Sequence, residues 1–185
     1  MAGLLRSSIR LIFVLFISFF LVACGTNSAG GFNSFQSPDG RYAFLYPTGW
    51  TRVAVNNGPQ VVFHDLINSD ETLSLVVSDV GGEVNLELLG SADEVGKRLI
   101  SQVIAPEGAV RQVELVKAAE REYSSHTFYD LEYIVHLPER DRHELSTVVV
   151  DRGSLYTFAT STNQVRWDKM KNIFERVIQS FEFLV

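Results

Sequence analysis

Residues 127–160 read TFYDLEYIVHLPERDRHELSTVVVDRGSLYTFAT. Two turn signals, Pro138 with the charged residues after it and the Gly153-Ser154 pair, divide this stretch into three runs rich in β-branched and aromatic residues. The predicted strands are 127–137, 143–152 and 155–160. Short connections join strands that run antiparallel. The centre of the predicted fold is therefore an antiparallel sheet.

Further strands are predicted before this region. Pro38-Asp39-Gly40 is a turn sequence, because proline fixes one dihedral angle and glycine permits a positive φ, so its flanking residues are predicted to form a β-hairpin. The remaining predicted strands are 50–55, 61–64, 73–77 and 110–121.

Two segments have helical patterns. Ser91 and Glu94 fit a capping box, in which each side chain accepts a hydrogen bond from a free backbone amide, and this helix is predicted to end near Val103. A second helix, with Asn163 as its cap, follows from apolar residues at three- and four-residue spacing, which is typical of a face buried on a sheet. These residues are Trp167, Met170, Ile173, Phe174, Val177, Ile178 and Phe181. The chain is thus predicted to be α+β.

The N-terminus has the layout of an export signal. Arg6 and Arg10 precede an apolar stretch over 11–22, and a small residue stands before Cys24, the only cysteine. The stretch is short for a membrane helix, which needs about 20 residues. We interpret 1–23 as a bacterial lipoprotein signal peptide and Cys24 as the lipid-carrying first residue of the mature protein. The alternatives are an uncleaved anchor and a buried apolar helix.

The remainder is predicted to form a tether and one domain. Residues 24–34 consist mainly of Gly, Ser, Asn, Thr and Ala, which bury too little apolar surface to order themselves, so they are predicted to be a lipidated flexible tether. Residues 35–185 have the size of a single domain. With Cys24 lipidated, no thiol is left for a disulfide or a cysteine-based metal site.

The charge of the chain bears on its partners. The formal net charge is −6, and removal of the two signal-peptide arginines makes the mature protein more acidic. Phosphates of nucleic acids and anionic lipid head groups repel such a domain, and no basic run interleaved with aromatic residues is present. We therefore expect no nucleic-acid binding, membrane attachment through the N-terminal lipid alone, and a membrane protein as the partner.

Tyr42-Ala43-Phe44-Leu45-Tyr46-Pro47-Thr48-Gly49-Trp50 resembles the opening signature of the PsbP family, extrinsic proteins on the oxygen-evolving side of photosystem II. Further resembling segments follow in order and cover essentially all of 35–185. They are 63–67, 89–95, 129–133, Arg142-His143, 153–157, Arg166-Trp167 and Ser180-Phe181. Together with the lipoprotein signal, they make the chain similar to a cyanobacterial member rather than a plant member.

The resemblance implies an α-β-α sandwich, with an antiparallel sheet packed between helices. It also implies a monomeric, lipid-anchored protein on the lumenal side of the thylakoid membrane that binds the photosystem II core and assists its assembly or stability without catalysis. Plant members are associated with retention of calcium and chloride. The alternative is therefore a metal-binding or ion-retaining module of the oxygen-evolving side, although a short tether replaces the longer N-terminal arm of plant members.

Histidines and acids supply the candidate metal ligands. In a symmetric hairpin His136 and His143 lie opposite each other, about 5 Å apart, where two imidazoles are able to hold Zn²⁺ with an oxygen from Glu139 or Asp141. The competing interpretation is a pair of exposed turn histidines. A second candidate metal site is the adjacent pair of His64 and Asp65, whose side chains are expected on opposite faces of a strand. The predicted function requires no cofactor, and the candidate metals are Zn²⁺ and Ca²⁺. His126 is interpreted as a solvated turn residue.

Two sets of residues are candidate contact surfaces. The first set is aromatic and suits a docking surface, but strand alternation favours a place in the core. It consists of Tyr42, Phe44, Tyr46 and Trp50. Six acids suit contact with a basic lumenal surface, although a solvated face is the default interpretation. They are Asp65, Asp70, Glu71, Asp79, Glu83 and Glu87. No nucleophile elbow, phosphate-binding glycine loop or zinc-protease helix is present in the sequence, so no catalytic residue is predicted.

Overall fold

The computed structural model describes residues 31–56, 58–82 and 84–184. Cys24 and the predicted signal peptide, 1–23, lie outside these residues, so their predictions stay untested. Residues Gly31–Val185 form one compact unit. None of the described helices is long and apolar enough to cross a membrane.

The described residues form ten strands and two α-helices. The strands are β1 (Phe32–Gln36), β2 (Tyr42–Pro47), β3 (Trp50–Val53), β4 (Val61–Asp65), β5 (Thr72–Asp79), β6 (Gln112–Tyr123), β7 (His126–His136), β8 (Asp141–Asp151), β9 (Ser154–Asn163) and β10 (Glu182–Phe183). The helices are α1 (Ala92–Leu99) and α2 (Trp167–Gln179).

Seven strands form one large antiparallel sheet in the order β3-β4-β5-β9-β8-β7-β6. Short turns connect β6, β7, β8 and β9 in sequence, which confirms the antiparallel region predicted from 127–160. The predicted hairpin of β1 and β2 is also present, but it belongs to a separate three-stranded sheet with β10. The turn of this hairpin contains Gly40 at φ 70°, a conformation that favours glycine.

One face of the large sheet packs against α2 and the small sheet. The apolar stripe of α2 is buried there, as predicted, and Phe174, Val177 and Phe181 are fully enclosed. Phe44 of β2 lies 4.6 Å from Phe158 of β9 between ring centroids, so the small sheet contributes directly to this core. Close packing of aromatic rings holds these layers together.

The opposite face of the large sheet packs against α1. Val95 of the helix and Leu131 and Tyr133 of β7 are buried in this second core. A Cβ atom at Gly96 would lie only 3.0 Å from the side chain of Leu115, so glycine permits the helix to approach the sheet closely. Helices thus cover both faces of the sheet, which confirms the predicted α+β class and α-β-α layering.

Several predicted boundaries differ from the structure. Strand β1 begins at Phe32, so the prediction that the tether extends to residue 34 is wrong. The reason is that Phe32 is buried in the first core, with the guanidinium of Arg176 4.8 Å from its ring centroid. Helix α1 ends at Leu99 and continues as a π-helical turn, Ile100–Ile104, in which the amide of Ala105 donates to the carbonyl of Ile100.

The predicted cap of α2 is also wrong. Asn163 precedes a 3₁₀ turn, Gln164–Arg166, and makes no side-chain cap hydrogen bond. Its side-chain amide instead donates to Asp70 at 3.0 Å, because that carboxylate lies close to the end of β9. The Ser91 and Glu94 capping box, in contrast, is confirmed.

Candidate functional site at one end of the large sheet

The β7–β8 hairpin does not have the predicted register. His136 lies opposite Asp141, and His143 lies opposite Ile134, so the prediction that the two histidines face each other is wrong. The pairing is shifted by two residues, so that the loop between the paired positions is 137–140 rather than 137–142. The amide of Leu137 donates to the carbonyl of Arg140 at 3.0 Å, which makes the loop shorter.

His143 is a buried structural residue. Only 3% of it is exposed. Its Nε2 lies 2.7 Å from Glu132 Oε1, its Nδ1 lies 2.8 Å from Gln164 Oε1, and its ring stacks on Trp167. Both ring nitrogens are therefore engaged, and the side chain joins β7 and β8 to the start of α2.

His136 and Asp141 form a pair at the surface. The Nδ1 atom of His136 lies 2.9 Å from Asp141 Oδ1, and Glu139 is exposed in the neighbouring loop. Within the part of the chain that the structure describes, no group of three or more His, Cys, Asp or Glu side chains is placed to hold a metal ion. The structure thus separates His143 from the other three candidate ligands of this hairpin.

Asp65 fixes the turn between β4 and β5. Its Oδ1 accepts hydrogen bonds from the backbone amides of Ile67, at 2.8 Å, and Asn68. The bond from the Asn68 amide is the main reason that the pKa of Asp65 lies below its usual value. The Nδ1 atom of His64 lies 3.0 Å from the backbone carbonyl of Asp65. This pair therefore shapes a turn.

The last predicted turn histidine, His126, is half-buried rather than solvated. Its Nε2 lies 3.3 Å from Asp151 Oδ1, and its ring centroid lies 4.8 Å from that of Phe183. The position next to β10 explains the difference, because packing on Phe183 excludes water from one face of the imidazole.

An arginine–acid cluster, which consists of Asp70, Glu71, Arg140, Arg142 and Arg166, lies at this end of the sheet. Asp70 forms ion pairs with Arg140 at 3.0 Å and with Arg142 at 3.6 Å. Glu71 is only 2% exposed and pairs with Arg166. A buried carboxylate is tolerated when it is paired in this way.

The cluster corrects the interpretation of Asp70 and Glu71 as a solvated or docking face, because both carboxylates have partners within the chain. Sequence reasoning missed these pairs. Their partners lie far away along the chain, and no local pattern marks them.

Two of the remaining acids have hydrogen-bond partners within the fold. Asp79 accepts a hydrogen bond from the amide of Gly81 at 2.8 Å. Glu87 accepts one from the Thr127 hydroxyl, and this bond lowers the pKa of Glu87. Glu83 lies outside the described residues. The acids that were a candidate contact surface are therefore divided among separate contacts.

An apolar tip, which consists of Leu66, Ile67 and Val165, is exposed beside the arginine–acid cluster. Ile67 is 91% exposed in the turn that Asp65 fixes, and Val165 is 92% exposed next to Arg166. The ion pair of Glu71 with Arg166 joins the two segments. The tip is therefore held by a framework of hydrogen bonds and ion pairs.

The aromatic candidates are placed differently. Tyr42, Phe44 and Trp50 are buried, which confirms the core interpretation of these residues. Tyr46 is partly buried and stacks on Phe63 with centroids 4.3 Å apart. The aromatic residues of the N-terminal strands thus hold layers together, and the apolar surface at the tip is aliphatic.

Comparison with known proteins gives one consistent result. Residues 30–183 match the model of the PsbP family. The chain is 38% identical over 168 residues to CyanoP of Thermosynechococcus vestitus, covering 88% of this chain and 92% of the relative. It is 39% identical over 171 residues to CyanoP of Synechocystis sp., covering 90% of this chain and 91% of the relative.

The same similarity holds at the level of the fold. The solution structure of cyanobacterial PsbP (CyanoP) from Synechocystis sp. PCC 6803 superposes with a TM-score of 0.74 at 37% identity. The superposition covers 89% of this chain and 99% of that chain. The architecture described above is thus similar to a solved structure over nearly its whole length.

Proposed function

Because the chain belongs to the PsbP family, we propose that it is an extrinsic accessory protein of photosystem II. In this proposal it binds the core complex on the lumenal side of the thylakoid membrane, assists assembly or stability of the complex, and catalyses no reaction. The observation that carries the proposal is the extent of the family match, which spans 30–183 and hence nearly every described residue. The protein acts as a monomer.

Membrane attachment is assigned to a lipid on Cys24. The apolar stretch and the single cysteine support this assignment. Because β1 begins at Phe32, only residues 25–31 separate the lipid from the fold. A segment of that length reaches at most roughly 25 Å. The domain would stay close to the bilayer surface, where tethering raises its effective concentration near a membrane complex.

The contact surface is assigned to the apolar tip. What supports this assignment is that Leu66, Ile67 and Val165 are exposed although their backbone is held in place. Side chains on a fixed backbone lose little conformational entropy on binding. The exposed guanidinium of Arg140 belongs to the adjoining arginine–acid cluster. The contact surface would therefore have the apolar tip at its centre and a charged group at its rim, as many protein interfaces do.

The ion-retaining alternative has less support. His143 has two partners within the fold, and His64 and Asp65 hold a turn. The pair of His136 and Asp141 is exposed and supplies only two ligands. Titration of the protein with metal ions tests this alternative directly.

The lipid assignment is tested with the Cys24→Ser variant, with Ser28→Ala as the matched control. The mass of the natural protein is expected to correspond to residues 24–185 with acyl chains on Cys24. Loss of the lipid is expected to move the variant to the soluble lumenal fraction and to reduce its co-isolation with photosystem II. The control is expected to behave like the natural protein. An unmodified N-terminus would refute the lipid anchor.

A further inference from the structure

A cavity of about 220 Å³ lies on the α1 face of the large sheet, away from the apolar tip. Leu99, Val103 and Ile104 form its wall on the helical side. On the sheet side the lining is Ser74, Val76, Tyr133, Glu144, Ser146, Thr157 and Ala159, with Arg111 also contributing. The lining thus combines five aliphatic side chains with six that carry polar groups, and ligand pockets use such polar groups to orient what they bind.

The cavity has a simple origin in the sequence. Ser74, Ala159 and Ser146 are neighbours on β5, β9 and β8. Their small side chains leave a depression in this face of the sheet, which forms the floor of the cavity. Helix α1 lies against β6 and β7, and Ser74 and Ala159 stay partly exposed. The π-helical turn Ile100–Ile104 then extends the end of the helix along the cavity. Such turns occur frequently at functional sites.

A buried hydroxyl in the floor points to a ligand. Ser146 is only 1% exposed, and its Oγ has no hydrogen-bond partner among residues 31–56, 58–82 and 84–184. Leaving a buried polar group unpaired costs about 1–3 kcal/mol. The nearby Tyr133 hydroxyl already donates to the carbonyl of Gly96. The Ser146 Oγ has almost no accessible surface of its own, so a donor reaches this unpaired hydroxyl when a neighbouring side chain moves aside.

Glu144 adds a second polar group to the lining. Burial raises the pKa of this carboxyl to about 7, while the positive charges of Arg142 and Arg111 oppose the shift. The carboxyl is held in an environment that disfavours its charge. A ligand that donates a hydrogen bond to the Glu144 carboxylate would stabilise its charged form and offset the cost of burying it.

We propose that this cavity binds a small apolar molecule of one or two rings that carries one N–H or O–H donor. The size follows from the volume, because a cavity of roughly 150 Å³ holds a single benzene ring. The donor group follows from two polar groups of the lining, because the Glu144 carboxylate accepts hydrogen bonds and the unpaired Ser146 hydroxyl is able to accept one. The proposal goes beyond association with photosystem II and does not depend on it.

Indole and N-methylindole are the probes, because they share two fused rings and only indole has an N–H donor. They are titrated into the mature chain, residues 24–185 with Cys24→Ser, and binding is followed by amide chemical shifts. We expect saturable shifts at the cavity-lining residues with indole. We expect about threefold to tenfold weaker binding of N-methylindole, the range for one lost hydrogen bond.

Three variants test the location. Ala159→Leu fills the floor, and Val103→Glu places a charge on the exposed wall, so each is expected to weaken indole binding at least about tenfold. Ser146→Ala is expected to weaken binding of indole but not of N-methylindole. Val55→Glu, a matched change at an exposed valine outside the cavity lining and the apolar tip, is expected to leave binding unchanged. The amide spectrum of each variant verifies that it is folded.

Several results would overturn the proposal. Indole shifts that are absent up to about 1 mM, or that lie outside the cavity, would refute the site. Equal binding of indole by Val103→Glu and the parent chain would do the same. N-methylindole that binds as tightly as indole would refute the role of the donor and of Ser146. None of these results bears on photosystem II association, which is measured separately.

Discussion

The imidazole of His143 stacks on the indole of Trp167 with centroids 3.6 Å apart and planes 7° from parallel. His143 belongs to β8, and Trp167 is the first residue of α2. The contact therefore attaches the start of the helix to the large sheet, and Glu132 and Gln164 hold the imidazole from both sides. A residue that the sequence suggested as a metal ligand thus fixes the packing of a helix.

The first prediction concerns this contact. The His143→Ala variant is expected to lose about 2–4 kcal/mol of unfolding free energy, because it removes the ring stack and leaves the Glu132 carboxylate without its partner. The measurement is urea unfolding followed by circular dichroism. His136→Ala, a change at an exposed histidine, is the control and is expected to stay within about 0.5 kcal/mol. Equal effects of the two changes would contradict the structural role of His143.

The second prediction concerns the buried ion pair. Arg166→Ala leaves the Glu71 carboxylate buried and unpaired, so we expect a loss of about 3–5 kcal/mol in unfolding free energy. Arg140→Ala removes an exposed partner of Asp70 and is expected to cost at most about 1 kcal/mol. Both variants are measured by urea unfolding at neutral pH. If Arg166→Ala costs no more than Arg140→Ala, Glu71 is not held by Arg166 as described.

The third prediction concerns pH. The pKa of Glu144 is about 7 in the folded protein and about 4.5 in a model compound, so the folded state binds this proton more tightly. The resulting penalty is absent below about pH 4.5, grows as pH rises, and is complete above about pH 7. Glu144 is partly exposed to solvent, which reduces the penalty, so we expect Glu144→Gln to stabilise the protein by about 2 kcal/mol at about pH 8.

The pH dependence itself is the check on this assignment. Unfolding free energies of Glu144→Gln and the natural protein are expected to converge near about pH 4, where the glutamate is protonated in both states. A difference between the two proteins that stays constant from about pH 4 to about pH 8 would show that Glu144 does not titrate as assigned.

The fourth prediction concerns metal ions. Calorimetric titration of the metal-free protein with Zn²⁺ and with Ca²⁺ is expected to give no saturable heat at micromolar ligand, because two-ligand surface sites such as His136 with Asp141 bind weakly. Heat that saturates at micromolar Zn²⁺ and disappears in His136→Ala would instead support the ion-retaining alternative.

The main elements of the fold follow from local patterns. The three runs in 127–160, the apolar stripe of α2 and the capping box at Ser91 all depend on neighbouring residues, so they are visible in the sequence. The start of β1 is not visible, because Phe32 is ordered by packing on distant parts of the chain.

The candidate site does not follow from local patterns either, because its contacts join distant parts of the chain. The β7–β8 register depends on how the loop closes, and a shift of the pairing moved His143 away from His136. Glu71 pairs with Arg166, and Asp70 pairs with Arg140, across contacts that only the complete sheet creates. The cavity arises in the same way, since Ser74, Ala159 and Ser146 are neighbours in space and far apart in sequence.

The central claim is that this protein binds the photosystem II core through the apolar tip. The most direct measurement is affinity isolation of the tagged protein from its native membrane, with identification of the proteins that accompany it. We expect photosystem II core subunits with the natural chain and at least about tenfold less of them with Ile67→Glu, while an exposed change far from the tip, Val116→Glu, has no effect. Isolation without any photosystem II subunit would contradict the account, and equal recovery with Ile67→Glu would contradict the assigned surface.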